Sequence, residues 1–287
     1  MNPLSLWMIF SMMLWGAGWP VLKILSESVS WEVATFWRLA LMSIAYIPVL
    51  WWNKKPLHLD RSAWMSVGVS GLLYTLFMVL SFLGVKVATA GAGGMIITTL
   101  SPILIVLITI IFTGFRPSKQ HLFGLGVGLL GGIIMVRLWE GTILSNVGNL
   151  LFILAALSWS VLSVLAQYSR QYLDPIRYSF FIGLIATLCM FFMAYGHGIL
   201  AVFDQGIRFW SALLYLSVMT QTVATTIYFI ASTKMGSGKA SSYMLLVPVF
   251  ALISSYQMLG EIPSASLLIG GAMSIMAVYW INQAKTT

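Results

Sequence analysis

Residues 100–120 read LSPILIVLITIIFTGFRPSKQ, and residues 246–266 read LVPVFALISSYQMLGEIPSAS. At an offset of 146 residues, both stretches place a proline within the apolar run, at Pro102 and Pro248. At the same offset, Gly114 aligns with Gly260, Pro117 with Pro263, Ser118 with Ser264, and Gly124 with Gly270. These identities indicate that the chain contains one unit twice.

The whole chain is as apolar as these two stretches. Of its 287 residues, 60% are hydrophobic and 8% are charged, which is too little polar surface for a soluble globule. Apolar runs of about 20 residues recur, and a helix of that length spans the roughly 30 Å hydrocarbon core of a bilayer. The sequence therefore predicts an all-α integral membrane protein with ten transmembrane helices. The predicted spans are 4–25, 31–52, 63–84, 88–112, 121–138, 147–168, 176–195, 209–231, 240–259 and 265–283.

Each copy of the unit contains five predicted spans. Because five is odd, the second copy enters the membrane from the opposite side, and the copies are related by a pseudo-two-fold axis in the membrane plane. Charge supports this, since Arg116 and Lys119 follow the glycine of the first copy and Glu261 follows that of the second. We predict two inverted five-helix repeats, at residues 1–140 and 141–287.

The aligned prolines lie twelve residues before the aligned glycines. Twelve helical residues extend about 18 Å, which places Pro102 and Pro248 near the bilayer midplane. Each proline removes one backbone hydrogen bond there. We predict that both are hinges.

Basic residues are unevenly distributed over the short connections between spans. They far outnumber acidic residues on the side that shares the N-terminus, whereas the charges balance on the other side. Connections rich in lysine and arginine stay in the cytoplasm. We therefore predict a location in a bacterial inner (cytoplasmic) membrane, with both termini in the cytoplasm.

Several short motifs resemble those of a known family. They are Leu14-Trp15-Gly16, Phe36-Trp37-Arg38-Leu39, Leu100-Ser101-Pro102, Val247-Pro248 and Leu259-Gly260-Glu261. Over essentially its whole length, the chain resembles the ten-helix branch of the drug/metabolite transporter superfamily with paired EamA domains. One departure is Phe115, where the first repeat of the family usually has a glutamate. The resemblance implies a transporter similar to exporters of amino acids and related metabolites, with other branches carrying sugars or phosphorylated sugars.

In a transporter of inverted repeats, the solute binds near the midplane, so polar and aromatic residues at span centres are the candidates. The predicted solute-binding residues are Trp15, Trp19, Arg38, Tyr74, Phe77, Met78, Ser81, Thr98, Trp159, Ser163, Gln221, Thr225, Tyr228 and Tyr243. Helix packing is the alternative for the tryptophans and for the stripe that Tyr74, Phe77, Met78 and Ser81 form on one face of the third span. Local satisfaction of backbone carbonyls is the alternative for Thr98 and Tyr243. For Gln221 a cavity is favoured, because a carboxamide in hydrocarbon needs a partner or water.

Arg38 is the cation placed well inside a span, about 10 Å from its predicted outer end. It could bind a substrate carboxylate through two parallel hydrogen bonds, or it could hold helix carbonyls together. The resemblance implies arginine here in members with varied solutes. That implication favours the architectural role.

The centres of the predicted spans contain no aspartate or glutamate. A proton-coupled antiporter typically carries its proton on such a carboxylate. The sequence therefore predicts downhill export, and a coupled mechanism would have to use a tyrosine, Glu261 or the solute itself.

Other classes of function lack their motifs. His58, His121 and His197 lie in connections or at span ends without a carboxylate at catalytic spacing, and there is no Walker A or zinc motif. We predict no enzymatic activity, cofactor or metal. The expected partners are membrane lipid and a small-molecule substrate, and nucleic acid is not expected because the basic residues are explained by topology. A glycine stripe on the fifth span permits a dimer, but packing within a monomer is preferred.

The predicted residues also restrict the solute. A phosphate site would require two or more buried cations, which disfavours sugar phosphates. Aromatic residues at the span centres favour neutral or aromatic amino acids, whose side chains can stack there. Sugars, drugs and nucleotide-related metabolites are the alternative solutes.

Overall fold

The computed structural model describes residues 3–54, 56–88, 90–114, 116–140, 146–260 and 262–283. The described residues form helices and turns, with no strand among them. The first half contains α1 (Pro3–Ser26), α2 (Trp31–Asn53), α3 (Arg61–Val87), α4 (Ala90–Thr113) and α5 (Lys119–Met135). The second half contains α6 (Val147–Ser169), α7 (Pro175–Ala194), α8 (Ile207–Leu214), α9 (Thr225–Met235), α10 (Ser237–Ser242), α11 (Val247–Leu259) and α12 (Ala265–Gln283). Phe115 and Glu261 lie outside the described residues.

Nine helical stretches of the described chain are long and apolar enough to cross a membrane. The eighth predicted span corresponds to Ile207–Met235 and the ninth to Ser237–Met258. The fifth forms α5, whose 17 residues extend about 26 Å and are therefore short for a bilayer core. The all-α membrane fold is confirmed for the described residues, and the count of ten and the inverted repeats stay predictions.

Two spans of the second half are not continuous α-helices. Ile207–Met235 is π-helical from Tyr215 to Ala224, between α8 and α9, and we call the whole stretch the π-containing span. In Ser237–Met258, a 3₁₀ turn at Tyr243–Leu246 separates α10 from α11. We call this stretch the broken span.

The two predicted hinges therefore differ in their surroundings. Pro102 lies inside α4, which continues past it. Pro248 is in the first turn of α11, where a missing backbone N–H leaves no helical hydrogen bond unmade. In the second half, the α-helix is interrupted at the four residues that precede α11, the helix that contains Pro248.

Short caps stop and restart the helices at the ends of the bundle. The carboxylate of Asp60 accepts a hydrogen bond of 2.7 Å from the backbone N–H of Ala63 at the start of α3. Asp174 and Ser118 cap α7 and α5 in the same way, through the N–H three residues later. Such caps satisfy backbone donors that the first helical turn leaves free.

The two halves pack chiefly against each other. α3 packs on α6 and α7, α1 packs on the π-containing span and α11, and α5 packs along α12. Small residues permit this approach: a Cβ added at Gly16 in α1 would lie 2.8 Å from the carbonyl oxygen of Val247. In α5, a Cβ at Gly124 would lie 2.5 Å from Cγ1 of Ile281. Residues from both halves therefore meet in the core.

Candidate functional site

A cavity of about 120 Å³ lies between the two halves, at the level of the middle of α1. Its walls come from α1, α2, α3 and α4 of the first half and from α6, the π-containing span and the broken span of the second. Ten of the fourteen predicted site residues line it: Trp15, Trp19, Arg38, Phe77, Met78, Ser81, Thr98, Trp159, Gln221 and Thr225. The sequence candidates from separate helices are thus brought together.

Three of the other candidates form a layer directly behind the cavity wall. The hydroxyl of Tyr74 donates a hydrogen bond of 2.6 Å to Oε1 of Gln221. The ring of Tyr228 lies 5.3 Å from that of Trp15, and its hydroxyl donates to Oγ of Ser163 at 3.2 Å. These side chains support the lining residues and do not form the surface themselves.

Tyr243 does not reach the cavity. Its hydroxyl donates to Oδ1 of Asn282 at 2.6 Å and is hydrogen-bonded to Oγ of Ser5 at 2.8 Å, at the end of the bundle where α1 begins. The next residue, Met244, lines the cavity in its place. Tyr243 therefore links the broken span to α1 and α12 at that end.

Aromatic rings form part of the cavity wall. The rings of Trp15 and Trp159 meet edge to face with centroids 5.4 Å apart, and Phe77 lies 5.1 Å from Trp159. Trp19 packs on the backbone of α4, where a Cβ at Gly94 would lie 2.8 Å from its ring. Rings held this closely offer flat apolar faces to a ligand.

Arg38 brings a positive charge to this apolar wall. Its side chain is 7% exposed, and its guanidinium carbon lies 5.6 Å from the centre of the Phe82 ring. Among the described residues it has no ion-pair partner, and its buried Nε has no hydrogen-bond acceptor. The architectural role predicted bonds from Arg38 to helix carbonyls, and the described chain provides none.

The hydroxyl groups of the cavity use their protons on their own helices. Ser81 donates to the carbonyl of Phe77 and Thr98 to that of Gly94, both at 2.7 Å. Thr225 donates to the carbonyl of Thr220 at 3.1 Å. Their oxygen lone pairs are left to accept hydrogen bonds from a ligand.

The π-helical segment positions Gln221. A π-helix forms backbone hydrogen bonds between residues five apart. Here its carbonyls also accept hydrogen bonds from side chains of the first half. Ser11 donates to the carbonyl of Ala224 at 2.8 Å, Trp15 Nε1 to that of Thr220 at 3.2 Å, and Tyr46 to that of Thr222 at 3.1 Å. These three bonds hold the segment against α1 and α2.

A groove of about 580 Å³ leads from the cavity towards the end of the bundle where α1 ends. Trp19, Leu22 and Val85 line both spaces and form the partition between them. On the opposite side, Oε1 of Gln167 accepts a hydrogen bond of 2.5 Å from the backbone N–H of Ser237. The cavity is thus closer to the outside of the protein on the side of the groove.

The sequence prediction missed several lining residues. Phe82 and Val85 continue the spacing of Met78 by one and two turns, so a longer stripe on α3 would have included them. Thr220 is adjacent to Gln221, and both line the cavity through the π-helical segment, which the hydropathy pattern does not reveal. Within the described residues, no group of three His, Cys, Asp or Glu side chains could hold a metal ion. The predictions of no metal and no cofactor stay predictions.

Comparison with known proteins agrees with the family resemblance. The model of the EamA-like transporter family matches residues 3–137 and 146–283. An "Uncharacterized transporter" of Archaeoglobus fulgidus is 27% identical, over 94% of this chain and 93% of the relative. A "Probable terminal-alkyne amino-acid exporter" of Streptantibioticus cattleyicolor is 21% identical, over 96% of this chain and 92% of the relative.

The fold is also similar to that of a solved crystal structure. It superposes with a TM-score of 0.75 and covers 98% of this chain and 97% of its own. At 18% sequence identity, the likeness concerns the fold alone.

Proposed function

Because the chain belongs to the EamA-like transporter family, we propose that it exports small metabolites, most favourably neutral or aromatic amino acids, by alternating access around the central cavity. The carrying observation is the combination of Arg38, unpaired among the described residues, with an aromatic wall. A carboxylate neutralises the guanidinium, and an apolar side chain packs on Trp15 and Trp159. Arg38 thereby takes a substrate-binding role in place of the architectural one.

The other solutes fit this cavity less well. A sugar has no charge to offer Arg38, whose guanidinium would remain buried and unpaired. A small zwitterion also meets the free lone pairs of Ser81 and Thr98, which can accept hydrogen bonds from an ammonium group. The name of the Streptantibioticus relative agrees with amino-acid export.

We propose that the chain crosses the membrane ten times as two inverted repeats, with α5 as the fifth crossing. The pairing of helices supports this, because exchanging the halves maps one set of contacts onto another. The contact of α3 with α6 then corresponds to that of the π-containing span with α1, and the contact of α4 with α6 to that of the broken span with α1. The two separate matches of the family model provide further support.

The proposed transport cycle alternates between the groove and the opposite side. The groove would open the cavity to the cell exterior if both termini are in the cytoplasm of a bacterial inner membrane. Pro102 and Pro248 remain the proposed hinges. Because no carboxylate lines the cavity formed by the described residues, we propose downhill movement of the solute.

Transport is tested with purified protein in proteoliposomes. Counterflow of labelled phenylalanine and leucine should be saturable and should persist when a protonophore collapses the proton gradient. Arg38→Gln should reduce it by about tenfold, the equivalent of 1.4 kcal/mol in binding the carboxylate. The absence of flux for every neutral and aromatic amino acid would overturn the substrate class, and full loss with the protonophore would overturn downhill transport.

Topology is tested with tags at the two ends of the chain. Ten crossings require both tags on the same side of the membrane. An added reagent that cannot cross the membrane should reach both tags only in inner-membrane vesicles whose cytoplasmic side faces outwards. Tags on opposite sides would mean an odd number of crossings, which excludes inverted five-helix repeats.

A further inference from the structure

The carboxamide of Gln221 has one acceptor end and one donor end, and the structure distinguishes them. Its Oε1 accepts a hydrogen bond of 2.6 Å from the hydroxyl of Tyr74. Its Nε2 faces the sulfur of Met78 at 3.9 Å, which is a weak contact. Gln221 is 93% buried and lines the cavity, so its remaining N–H is available to a ligand.

The reverse orientation of the amide is disfavoured by its neighbours. With nitrogen and oxygen exchanged, the amide oxygen would face Met78, whose sulfur can only accept. The hydroxyl proton of Tyr74 would then be left with Met42, whose sulfur lies 3.8 Å away. Both Tyr74 and the thioethers therefore favour one orientation, with N–H towards the cavity.

Arg38 provides the second donor of the same cavity. A guanidinium carries N–H donors and no acceptor, and this one has no ion-pair partner among the described residues. The hydroxyl of Tyr74 lies between Met42, on the helix that carries Arg38, and Gln221 itself. The described lining contains no carboxylate, and the donors of Arg38 and Gln221 match the two oxygens of a carboxylate group.

We infer that Tyr74 is a positioning residue, which holds Gln221 as a hydrogen-bond donor so that Gln221 and Arg38 together bind the free carboxylate of the solute. This inference rests on the proposed function and adds a requirement to it. A solute whose carboxylate is replaced by an amine or an ester should be rejected. The selectivity depends on the hydroxyl of Tyr74, although that hydroxyl does not touch the solute.

The test compares Tyr74→Phe, Gln221→Ala and the double variant in counterflow. Tyr74→Phe should raise KM for phenylalanine about fivefold to tenfold, the value of one hydrogen bond, with little change in kcat. The double variant should be no worse than Gln221→Ala alone, because Tyr74 acts through Gln221. Additive effects, or an unchanged KM in Tyr74→Phe, would overturn the inference.

The ratio of activity with phenylalanine to activity with its methyl ester separates a loss of positioning from general damage to the protein. The preference for phenylalanine over phenylalanine methyl ester should fall in Tyr74→Phe and should be unchanged in Tyr178→Phe, which removes an equally buried hydroxyl outside the cavity. Gln221→Glu keeps the size of the side chain but repels a carboxylate, so the preference should fall further. Equal loss of preference in Tyr178→Phe would show that Tyr74 has no special role.

A binding assay makes the inference independent of transport. Phenylalanine and its methyl ester are titrated against purified protein while the fluorescence of the cavity tryptophans is recorded. Carboxylate-dependent quenching that weakens in Tyr74→Phe supports the inference even if no amino acid is transported, in which case the proposed function alone fails. Equal quenching by the acid and the ester would contradict it.

Discussion

α3 and the π-containing span occupy equivalent places in the two proposed repeats, but they build opposite kinds of cavity wall. α3 is continuous from Arg61 to Val87 and presents mainly apolar side chains, such as Phe77 and Phe82. The π-containing span presents Thr220, Gln221 and Thr225. The cavity is thus apolar on the side of α3 and polar on the side of the π-containing span, which can orient a solute.

The two spans are also held in place differently. α3 approaches its neighbours through glycines: a Cβ at Gly84 would lie 2.7 Å from Cδ1 of Phe152 in α6, and one at Gly71 would lie 2.7 Å from Ile185 in α7. The π-containing span has no glycine in its sequence. It is held by side-chain hydrogen bonds from α1 and α2 to its carbonyls.

This difference indicates which wall can move. When two closely packed helices separate, the contacts between their side chains are lost and no other contacts replace them. Hydrogen bonds between membrane helices average about 0.6 kcal/mol and can be exchanged, because the freed groups find new partners. The polar wall is therefore better suited to rearrangement, and α3 is better suited to remain fixed.

The largest expected effect comes from breaking the packing of α3. Gly84→Val should destabilise the folded protein by about 1–3 kcal/mol, because the new side chain would overlap the fully buried ring of Phe152. Thermal unfolding in detergent measures this change. Gly68→Val is the matched control, since a Cβ at Gly68 meets nothing within 4 Å, and its stability should equal that of the parent. Equal loss in both variants would mean that glycine packing does not distinguish this wall.

The sequence predicted the fold well because bilayer thickness and apolar length are directly related. It placed α1, α2, α3, α6 and α12 within a few residues and grouped ten of the cavity residues. It did not reveal the π-helical segment, because hydropathy does not specify hydrogen-bond register. The donors that favour that register, Ser11 and Tyr46, are distant in sequence.

The surroundings of two side chains could not be predicted from the sequence, for local reasons. Tyr243 was predicted in the cavity from its place before Pro248, but the 3₁₀ turn there directs its hydroxyl to Ser5 and Asn282. For Arg38, the sequence alone could not exclude helix carbonyls as partners, because these depend on neighbouring helices. Contacts between helices, and not the spans, were the unpredictable part.

An intermediate effect is expected when the hydrogen bonds to the π-containing span are removed. Ser11→Ala with Tyr46→Phe deletes two donors to its carbonyls and the bond between the hydroxyls of Tyr46 and Thr226, and should destabilise the protein by about 1.8 kcal/mol, from about 0.6 for each bond. Amide hydrogen exchange in residues 215–230 should become faster. Ser158→Ala, which removes a 2.8 Å bond to the carbonyl of Leu73 in α3, is the control and should leave that region unchanged. Faster exchange in α3 instead would contradict the assignment of the movable wall.

The smallest effect is expected from hydroxyl groups within each span. Thr222 donates to the carbonyl of Ser217, five residues earlier, at 3.0 Å, whereas Thr75 in α3 donates to that of Gly71, four residues earlier, at 2.8 Å. Valine replaces either threonine with the same shape, so both variants should stay within about 0.6 kcal/mol of the parent in stability. Thr222→Val removes a bond that favours the π register beside Gln221 and should raise the KM for the solute about twofold. Thr75→Val should leave KM unchanged, because the hydroxyl of Thr75 bonds to the same carbonyl, four residues earlier, as the backbone of a regular α-helix. A similar KM for both variants would mean that the backbone hydrogen bonds alone determine the π register.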